Sequence, residues 1–352
     1  MYNILITGGA GFIGSNFIKL IKNFKQFSKI IIIDKLTPSS NLKNIDSYID
    51  KERIFFLKLD ILDFNSLTKV FEQNKINSII NFAAETHVDL SINNPDIFVK
   101  TNIIGTYNLL ACCLKYWNRD FSDKIFFQIS TDEVYGSLSE NDNPVNENHK
   151  YNPQNPYSAS KASADFLVKS FQNTYGLNSI ISHSCNNYGY YQHPDKFIPL
   201  TITNILRGKN IPIYGDGNNY REWIFVDDCC RAVLSIFLKG KIGSNYNIST
   251  NKMLKNIDLV NLICELSDNY LLENNKLKKS FPNSPIYNSN KSCDLITFVK
   301  DRPGHDFKYS INSDKILNEI GFIPKTDFKD GLLKTIDWYA NNINWWSDVL
   351  KN

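Results

Sequence analysis

Short apolar runs alternate with helix-length segments through the first half of the chain. The runs are Ile4–Thr7, Ile30–Asp34, Ile54–Leu57, Ile79–Phe82, Ile125–Ser130 and Ile180–Ser184. Each is rich in β-branched or aromatic residues and apolar at successive positions, the pattern of strands covered on both faces. The intervening segments suit crossover helices, of which Phe98–Trp117 and Tyr157–Tyr175 are the longest. Repeated β-α units of this length predict an α/β fold built on a parallel, doubly wound, Rossmann-type sheet. Ligands of such sheets collect at the carboxyl ends of the strands, so the residues that follow each run are where chemistry is expected.

Beyond about Cys185 the pattern changes. Pro194, Pro199, Pro212, Gly215 and Gly217 punctuate the chain, and helix-length runs shorten. The stretch from Asn269 to Ser292 is polar and broken by Pro282 and Pro285, which reads as a long surface loop. Trp338, Tyr339, Trp345 and Trp346 read as a docked aromatic terminal segment.

Composition narrows the classes. At 352 residues the chain has room for one large α/β domain and a smaller one. A net charge of +3 is too small to argue for nucleic acid or an anionic membrane. No apolar run reaches the length of a bilayer span; candidates such as Ile30–Ile33 are strand-sized. Asn3–Thr7 already reads as a buried strand followed at once by glycines, leaving no room for a signal peptide, so a cytoplasmic protein is expected. The seven cysteines are odd in number and lack C-x-x-C spacing, as expected of free, mostly buried thiols. The five histidines show no H-x-x-x-H pattern, and no metal site is expected.

Three motifs carry chemistry. Gly8, Gly11 and Gly14 follow the first strand and open a helix, where glycine lets the backbone turn tightly and admit a pyrophosphate to the helix N-terminus. Asp34 ends the second run twenty residues beyond Gly14; a carboxylate there bonds the adenosine ribose hydroxyls and repels a 2′-phosphate, favouring NAD over NADP. Tyr157 and Lys161 lie one helical turn apart on one face. The lysine charge, with a positive nicotinamide, is expected to lower the phenol pKa so that Tyr157 acts as a base. The same spacing recurs at Tyr287 and Lys291 among Pro, Asn and Ser residues, where it reads as coincidence. Finally, Thr131-Asp132-Glu133 sets two adjacent carboxylates at the end of the fifth strand.

Together these residues resemble the extended short-chain dehydrogenase/reductase superfamily, and within it the dTDP-glucose 4,6-dehydratases. The similarity covers nearly the whole chain, through Ile33–Thr37, Ala83–Asp89, Thr101–Tyr107, Ser184–Gly189, Asp195–Pro199, Pro212–Gly215, Lys255–Asp258 and Asp301–Asp306. The glycine loop and the Tyr/Lys pair belong to the whole superfamily. The Thr-Asp-Glu triplet does not, since related epimerases carry small residues at the acidic positions. The chain departs from the family pattern at Asp216–Trp223 and Ser91–Pro95.

The resemblance implies roles. Thr131 and Tyr157 would hold the glucosyl C4 hydroxyl, and Tyr157 with Lys161 would take its proton as hydride passes from C4 to NAD. Glu133 would remove the C5 proton and Asp132 would protonate the departing C6 hydroxyl, which requires Asp132 protonated and Glu133 ionised. Phe12, Ile13, Lys35, Thr37, Asp60, Ile61, Ala83, Ala84, Thr101, Ser130 and Asn187 would join the glycines and Asp34 around NAD. Thr86, Asn186, Lys196, Phe197, Pro212, Tyr214, Arg221, Asn256, Arg302 and His305 would contact dTDP-glucose, with Arg221 pairing its diphosphate bidentately.

The resemblance also implies residues 1–190 as the NAD-binding domain, with a return near 222–250, and 191–352 as mainly a smaller α/β sugar-nucleotide-binding domain. A homodimer packed through Phe98–Trp117 and Tyr157–Tyr175 is expected, with no nucleic acid and no membrane partner. UDP-glucose 4,6-dehydratases share the Thr-Asp-Glu triplet; Arg302–Asp306 and Asn186-Asn187 lean toward dTDP. An epimerase or decarboxylase would need Asp132 and Glu133 as bystanders. A non-catalytic NAD-binding regulator would need neither Tyr157, Lys161 nor the acids.

Overall fold

The computed structural model describes residues 1–350. Its strands are β1 (Tyr2–Thr7), β2 (Phe27–Asp34), β3 (Ile54–Lys58), β4 (Ser78–Asn81), β5 (Ile125–Thr131), β6 (Ser179–Ser184), β7 (Asn186–Tyr188), β8 (Ile211–Tyr214), β9 (Tyr220–Phe225), β10 (Asn245–Ile248), β11 (Met253–Lys255) and β12 (Ile296–Val299). Seven of them form one sheet in the order β10-β6-β5-β4-β1-β2-β3. Every pairing in it is parallel, which is the doubly wound Rossmann arrangement.

The continuous apolar runs fit because successive side chains enter opposite layers. Ile4, Ile6, Ile30 and Ile32 pack into one core with Phe17 and Ile236. Leu5, Ile31, Ile33 and Ile79 pack into another with Leu109 and Phe126. The order reverses between β1 and β4, so their carboxyl ends open a crevice. Thr7, Asn81 and Gln128 tie these strands through side-chain bonds: Thr7 donates to Asn81 (2.5 Å), and Asn81 Nδ2 donates to Gln128 (2.9 Å).

The chain leaves this sheet after β6 and rejoins it at β10, beside β6. The remaining strands make two small sheets, β11-β9-β7 and β12-β8. Tyr188, Ile202, Leu259, Ile263, Leu332 and Tyr339 form a separate core beneath them.

Four sequence expectations change here. The second half contains long helices, Val226–Lys239 and Asn256–Glu273, so helix-length runs do not shorten. The stretch from Asn269 to Ser292 is not a long surface loop. It ends the helix Asn256–Glu273 and continues as two 3-10 turns, with a third beginning at Ser292; Leu277, Phe281 and Ser284 are buried and Tyr287 donates to Leu271 O (2.9 Å). Its prolines mark turns in packed chain.

The expected helix Phe98–Trp117 is α-helical only over Gly105–Trp117. Val99–Ile104 is a π-helical stretch, a feature that clusters at functional sites. It turns Asn102 inward, where Oδ1 accepts from Glu85 N (2.8 Å) and Nδ2 donates to Ser160 Oγ (2.8 Å). Lastly, Pro95–Trp117 is long and apolar enough by length and composition to cross a membrane, contrary to the sequence reading. Leu109, Leu110, Cys112, Cys113 and Trp117 account for that apolarity by packing into the core beside the sheet.

The aromatic C-terminal segment docks as expected: Tyr339 and Trp346 are buried, and Trp345 Nε1 donates to Asn44 (2.8 Å).

Candidate active site

A cleft of about 480 Å³ runs along the carboxyl ends of the large sheet into the smaller sheets, within the rough range of 300–1,000 Å³ typical of small-molecule sites. All the residues given a cofactor, substrate or catalytic role in the sequence, from Gly8 to His305, line it.

The cofactor half is a cradle with no room for side chains. Gly8 has φ of +65°, and a Cβ there would sit 2.7 Å from Ala83 N. A Cβ on Gly14 would sit 2.3 Å from Gly8 O. Gly11 caps the helix Phe12–Ile21 without a side chain, so helical N–H groups face the cleft. These features fit a dinucleotide pyrophosphate.

Asp34 ends β2, but three donors already hold it: Ala10 N (3.0 Å), Leu36 N (2.8 Å) and Ser40 Oγ (2.9 Å). A carboxylate offers about four lone-pair sites, so these bonds leave acceptor capacity for a ribose hydroxyl. Lys35 pairs with Glu85 (2.8 Å) and donates to Thr101 Oγ1 (3.3 Å). Asn187 anchors its amide on Ser184 Oγ (2.8 Å) and Cys185 O (2.9 Å), while its buried Oδ1 has no partner among the described residues.

Two caps set the candidate catalytic group. Asn155 and Ser158 form a capping box, with Pro156 at the first helical position, and so start the helix one residue before Tyr157. Lys161 follows, 4% exposed, donating to Ile129 O (2.7 Å). Thr131 accepts from Glu133 N (3.3 Å) and caps a single 3-10 turn, Asp132–Tyr135. That turn carries both acids off the end of β5.

The two acids have different neighbourhoods. Burial pushes Asp132 well above the carboxylate range; the charges of Glu133 and Glu222 add to it, and Arg221 and the Thr131 bond only partly oppose it. Its Oδ1 accepts from Thr131 Oγ1 (3.2 Å), and its buried Oδ2 has no partner among the described residues. Glu133 is also raised by burial, but Arg302, Arg221 and Lys196 draw it back. Both carboxyls are therefore raised by burial, and they differ in the cations that oppose it: Arg221 alone at Asp132, and Arg302, Arg221 and Lys196 at Glu133.

Within the chain the Tyr157 phenol is raised, by burial first and then by the charge of Glu133, with the Thr131 side chain pulling the other way. Lys161 is lowered to about 8 by burial, against Asp165.

Toward the smaller sheets, Arg221 sits 4.4 Å over the Tyr309 ring. It donates to Tyr220 O (2.7 Å), Phe307 O (3.2 Å) and Asp306 O (2.8 Å), which leaves Nε–H and one Nη2–H as a free edge for a bidentate anion. The buried Arg302 Nε has no partner among the described residues. His305 lies 2.6 Å from Asp301; burial, with Arg302 and Arg221, lowers it to about 4. Asn256 N donates to Asn219 O (3.0 Å). Lys196 donates to Thr86 O (3.1 Å), while Phe197, Pro212, Tyr214 and Asn186 form apolar and amide walls.

The sequence reading missed Tyr309, which donates to Asp306 and lies 3.5 Å from Glu133 Oε2. It also missed Asp195, held between His193 (2.6 Å) and His87 (2.7 Å). Burial alone would raise Asp195, but the bonds from both histidines and the charge of Lys196 hold it far below its usual value. His87 and Asp195 stand inside runs that the family similarity covers, which was the available signal. Nothing in its local spacing marks Tyr309.

A glycine cradle, a Tyr/Lys pair and two adjacent acids in one cleft are the arrangement expected of a nucleotide-sugar dehydratase of the short-chain dehydrogenase/reductase type. The chain belongs to the family described as GDP-mannose 4,6 dehydratase, whose model matches residues 5–335. It is 45% identical over 346 residues to the dTDP-glucose 4,6-dehydratase of Haemophilus influenzae, covering 97% of this chain and 99% of the relative. Among solved structures it resembles DesIV, a dTDP-glucose 4,6-dehydratase from Streptomyces venezuelae with NAD and TYD bound. That likeness has a TM-score of 0.86 and 36% identity, covering 98% of this chain and 99% of the other. The dTDP-glucose 4,6-dehydratase of Bacillus anthracis in complex with NAD gives a TM-score of 0.84 at 39% identity, covering 99% of this chain and 100% of the other.

Proposed function

We propose that this protein converts dTDP-glucose to dTDP-4-keto-6-deoxyglucose and water, as a hydro-lyase that regenerates its NAD in every turnover. The observation that carries this reading is the pair Asp132 and Glu133 beside Tyr157 and Lys161 in one cleft, one acid opposed by the single cation Arg221 and the other facing three cations. Oxidation alone needs only the Tyr/Lys pair. Elimination needs an additional acid and base, so an epimerase leaves both carboxylates without work.

The chain's own groups divide the labour. Thr131 and Tyr157 bind the C4 hydroxyl, and Tyr157 takes its proton. Bound NAD supplies the hydride acceptor for C4, the hydride donor for C6, and a positive ring whose charge lowers the Tyr157 phenol. The C4 ketone acidifies C5–H, and Glu133 takes that proton. Asp132, protonated, gives its proton to the leaving C6 hydroxyl, and water departs. Glu133 then returns a proton to C5. The cycle leaves Tyr157 one proton richer and Asp132 one poorer, so a proton moves between them or exchanges with solvent before the next turnover.

Arg221, Arg302 and Lys196 supply the cations for a diphosphate. The sugar-nucleotide side comprises mainly residues 191–352, and the cofactor side residues 1–190 with the return near 222–250. Exposed Val99, Ile104, Tyr107, Phe166 and Tyr175 lie on the two adjacent crossover helices. Tyr107 and Tyr175 both pack edge-on against Phe171. This face suits a homodimer. Seven unpaired cysteines, six of them buried, suit a reducing, cytoplasmic setting.

Offering dTDP-glucose and UDP-glucose separately tests the base. The expected result is the 4-keto-6-deoxy product from both, with kcat/KM at least about tenfold higher for dTDP-glucose, the ratio that roughly 1.4 kcal/mol of differential binding gives. A preference for UDP-glucose would assign the chain to the other dehydratase group.

A further inference from the structure

Asp165 stands one helical turn beyond Lys161 and is fully buried, yet no step of the proposed reaction uses it. Its Oδ2 accepts from Ser130 Oγ (2.6 Å) and from the Tyr151 hydroxyl (3.4 Å), and lies 3.3 Å from His183 Nε2. Its Oδ1 is buried with no partner among the described residues. His183, on β6, is itself fully buried. Its Nε2 lies 2.7 Å from the Tyr151 hydroxyl and its Nδ1 lies 3.2 Å from the Tyr135 hydroxyl. Tyr135 donates onward to Asn247 (3.0 Å). The cluster thus joins the end of β5, β6, the Tyr/Lys helix and the turn that carries the two acids.

Lys161 lacks a close counter-charge. Its ammonium donates to the neutral carbonyl of Ile129 (2.7 Å), and among the described residues no carboxylate lies within ion-pair distance of it. A buried ammonium of this kind tends to lose its proton. Asp165 is the charge that opposes this loss at Lys161, and it acts likewise on Lys169 further along the helix. Tyr135, Tyr151 and Tyr157 are the other titratable groups that face the carboxylate, with His183 and the two lysines.

We infer that Asp165 is a positioning residue for the oxidation step: it supplies the counter-charge that keeps Lys161 protonated, and Ser130, His183 and Tyr151 hold it at a fixed remove. A direct ion pair would draw the ammonium off Tyr157. A carboxylate one turn away, pinned by three partners, keeps the charge while leaving the ammonium on the Ile129 carbonyl. The Ser130 hydroxyl serves this arrangement from the strand that carries Thr131.

Asp165→Asn in the NAD-loaded enzyme tests the inference, since the amide keeps the size and the Ser130 contact but removes the charge. The alkaline limb of kcat/KM against pH is expected to move about one unit toward acid, with a loss of roughly tenfold above the new limb, while Asp165→Glu holds the limb at its original position. An unmoved limb in Asp165→Asn, with activity reduced equally at all pH values, would mean a purely structural cluster and overturn the inference. Should the amide variant fail to fold, titration of carbon-labelled lysine in the unaltered holoenzyme decides. Lys161 charged at pH 7 is the expected result, and Lys161 already neutral there overturns it. The inference rests on Tyr157 and Lys161 as the oxidising pair. Full turnover by Lys161→Met would sink that reading, whereas an unmoved limb sinks only the role of Asp165.

Discussion

Glu133→Gln is expected to stop the reaction halfway. The variant keeps Thr131, Tyr157 and Lys161, so oxidation at C4 proceeds and enzyme-bound NADH accumulates after dTDP-glucose is added. The C5 proton then has no base, and product formation falls on the order of 10²–10⁴-fold, the usual worth of a positioned general base. Asp132 stays raised in the variant, because burial rather than the Glu133 charge is the larger cause of its shift. Stopped-flow absorbance of the reduced cofactor, set beside product release, separates the two halves. Rapid product release by the variant would show that Glu133 is not the base.

Tyr157→Phe is expected to fail earlier. Phenylalanine preserves the ring that packs edge-on against Phe98 (centroids 6.4 Å apart), so the fold should persist while the proton acceptor is lost. Turnover falls by a comparable factor, on the order of 10²–10⁴-fold, but with no NADH signal. The two variants therefore lose similar rates at opposite sides of one intermediate. Appearance of NADH in Tyr157→Phe at the wild-type rate would assign the first proton transfer elsewhere.

The parallel sheet was legible because its strands are buried on both faces. Ile4–Thr7 or Ile30–Asp34 cannot be mistaken for an amphipathic surface element. The glycine loop was legible for a steric reason, since a Cβ on Gly8 or Gly14 collides with backbone. Asp132 and Glu133 were legible as a pair of unlike acids only through family resemblance. Their different charge environments depend on Arg221, Arg302 and Lys196, which arrive from distant segments that no local spacing links.

Tertiary packing also decided what was misread. The polar stretch from Asn269 to Ser292 holds only a few apolar residues, but Leu277 and Phe281 anchor it to the second core. The π-helical stretch at Val99–Ile104 has ordinary helical residues, and its geometry follows from Asn102 being claimed by Glu85 and Ser160. Nor could the sequence display the burial and the facing Glu133 that raise the Tyr157 phenol within the chain.

The central claim is that two carboxylates add elimination to a reversible oxidation. Its most direct test is conversion of dTDP-glucose deuterated at C4 in ordinary water, run beside unlabelled dTDP-glucose in deuterated water. The account predicts a 4-keto-6-deoxy product in both, with the C4 deuterium carried to C6 in the first and solvent deuterium at C5 in the second. A 4-epimer that keeps its deuterium at C4 and takes none from solvent at C5 would contradict it.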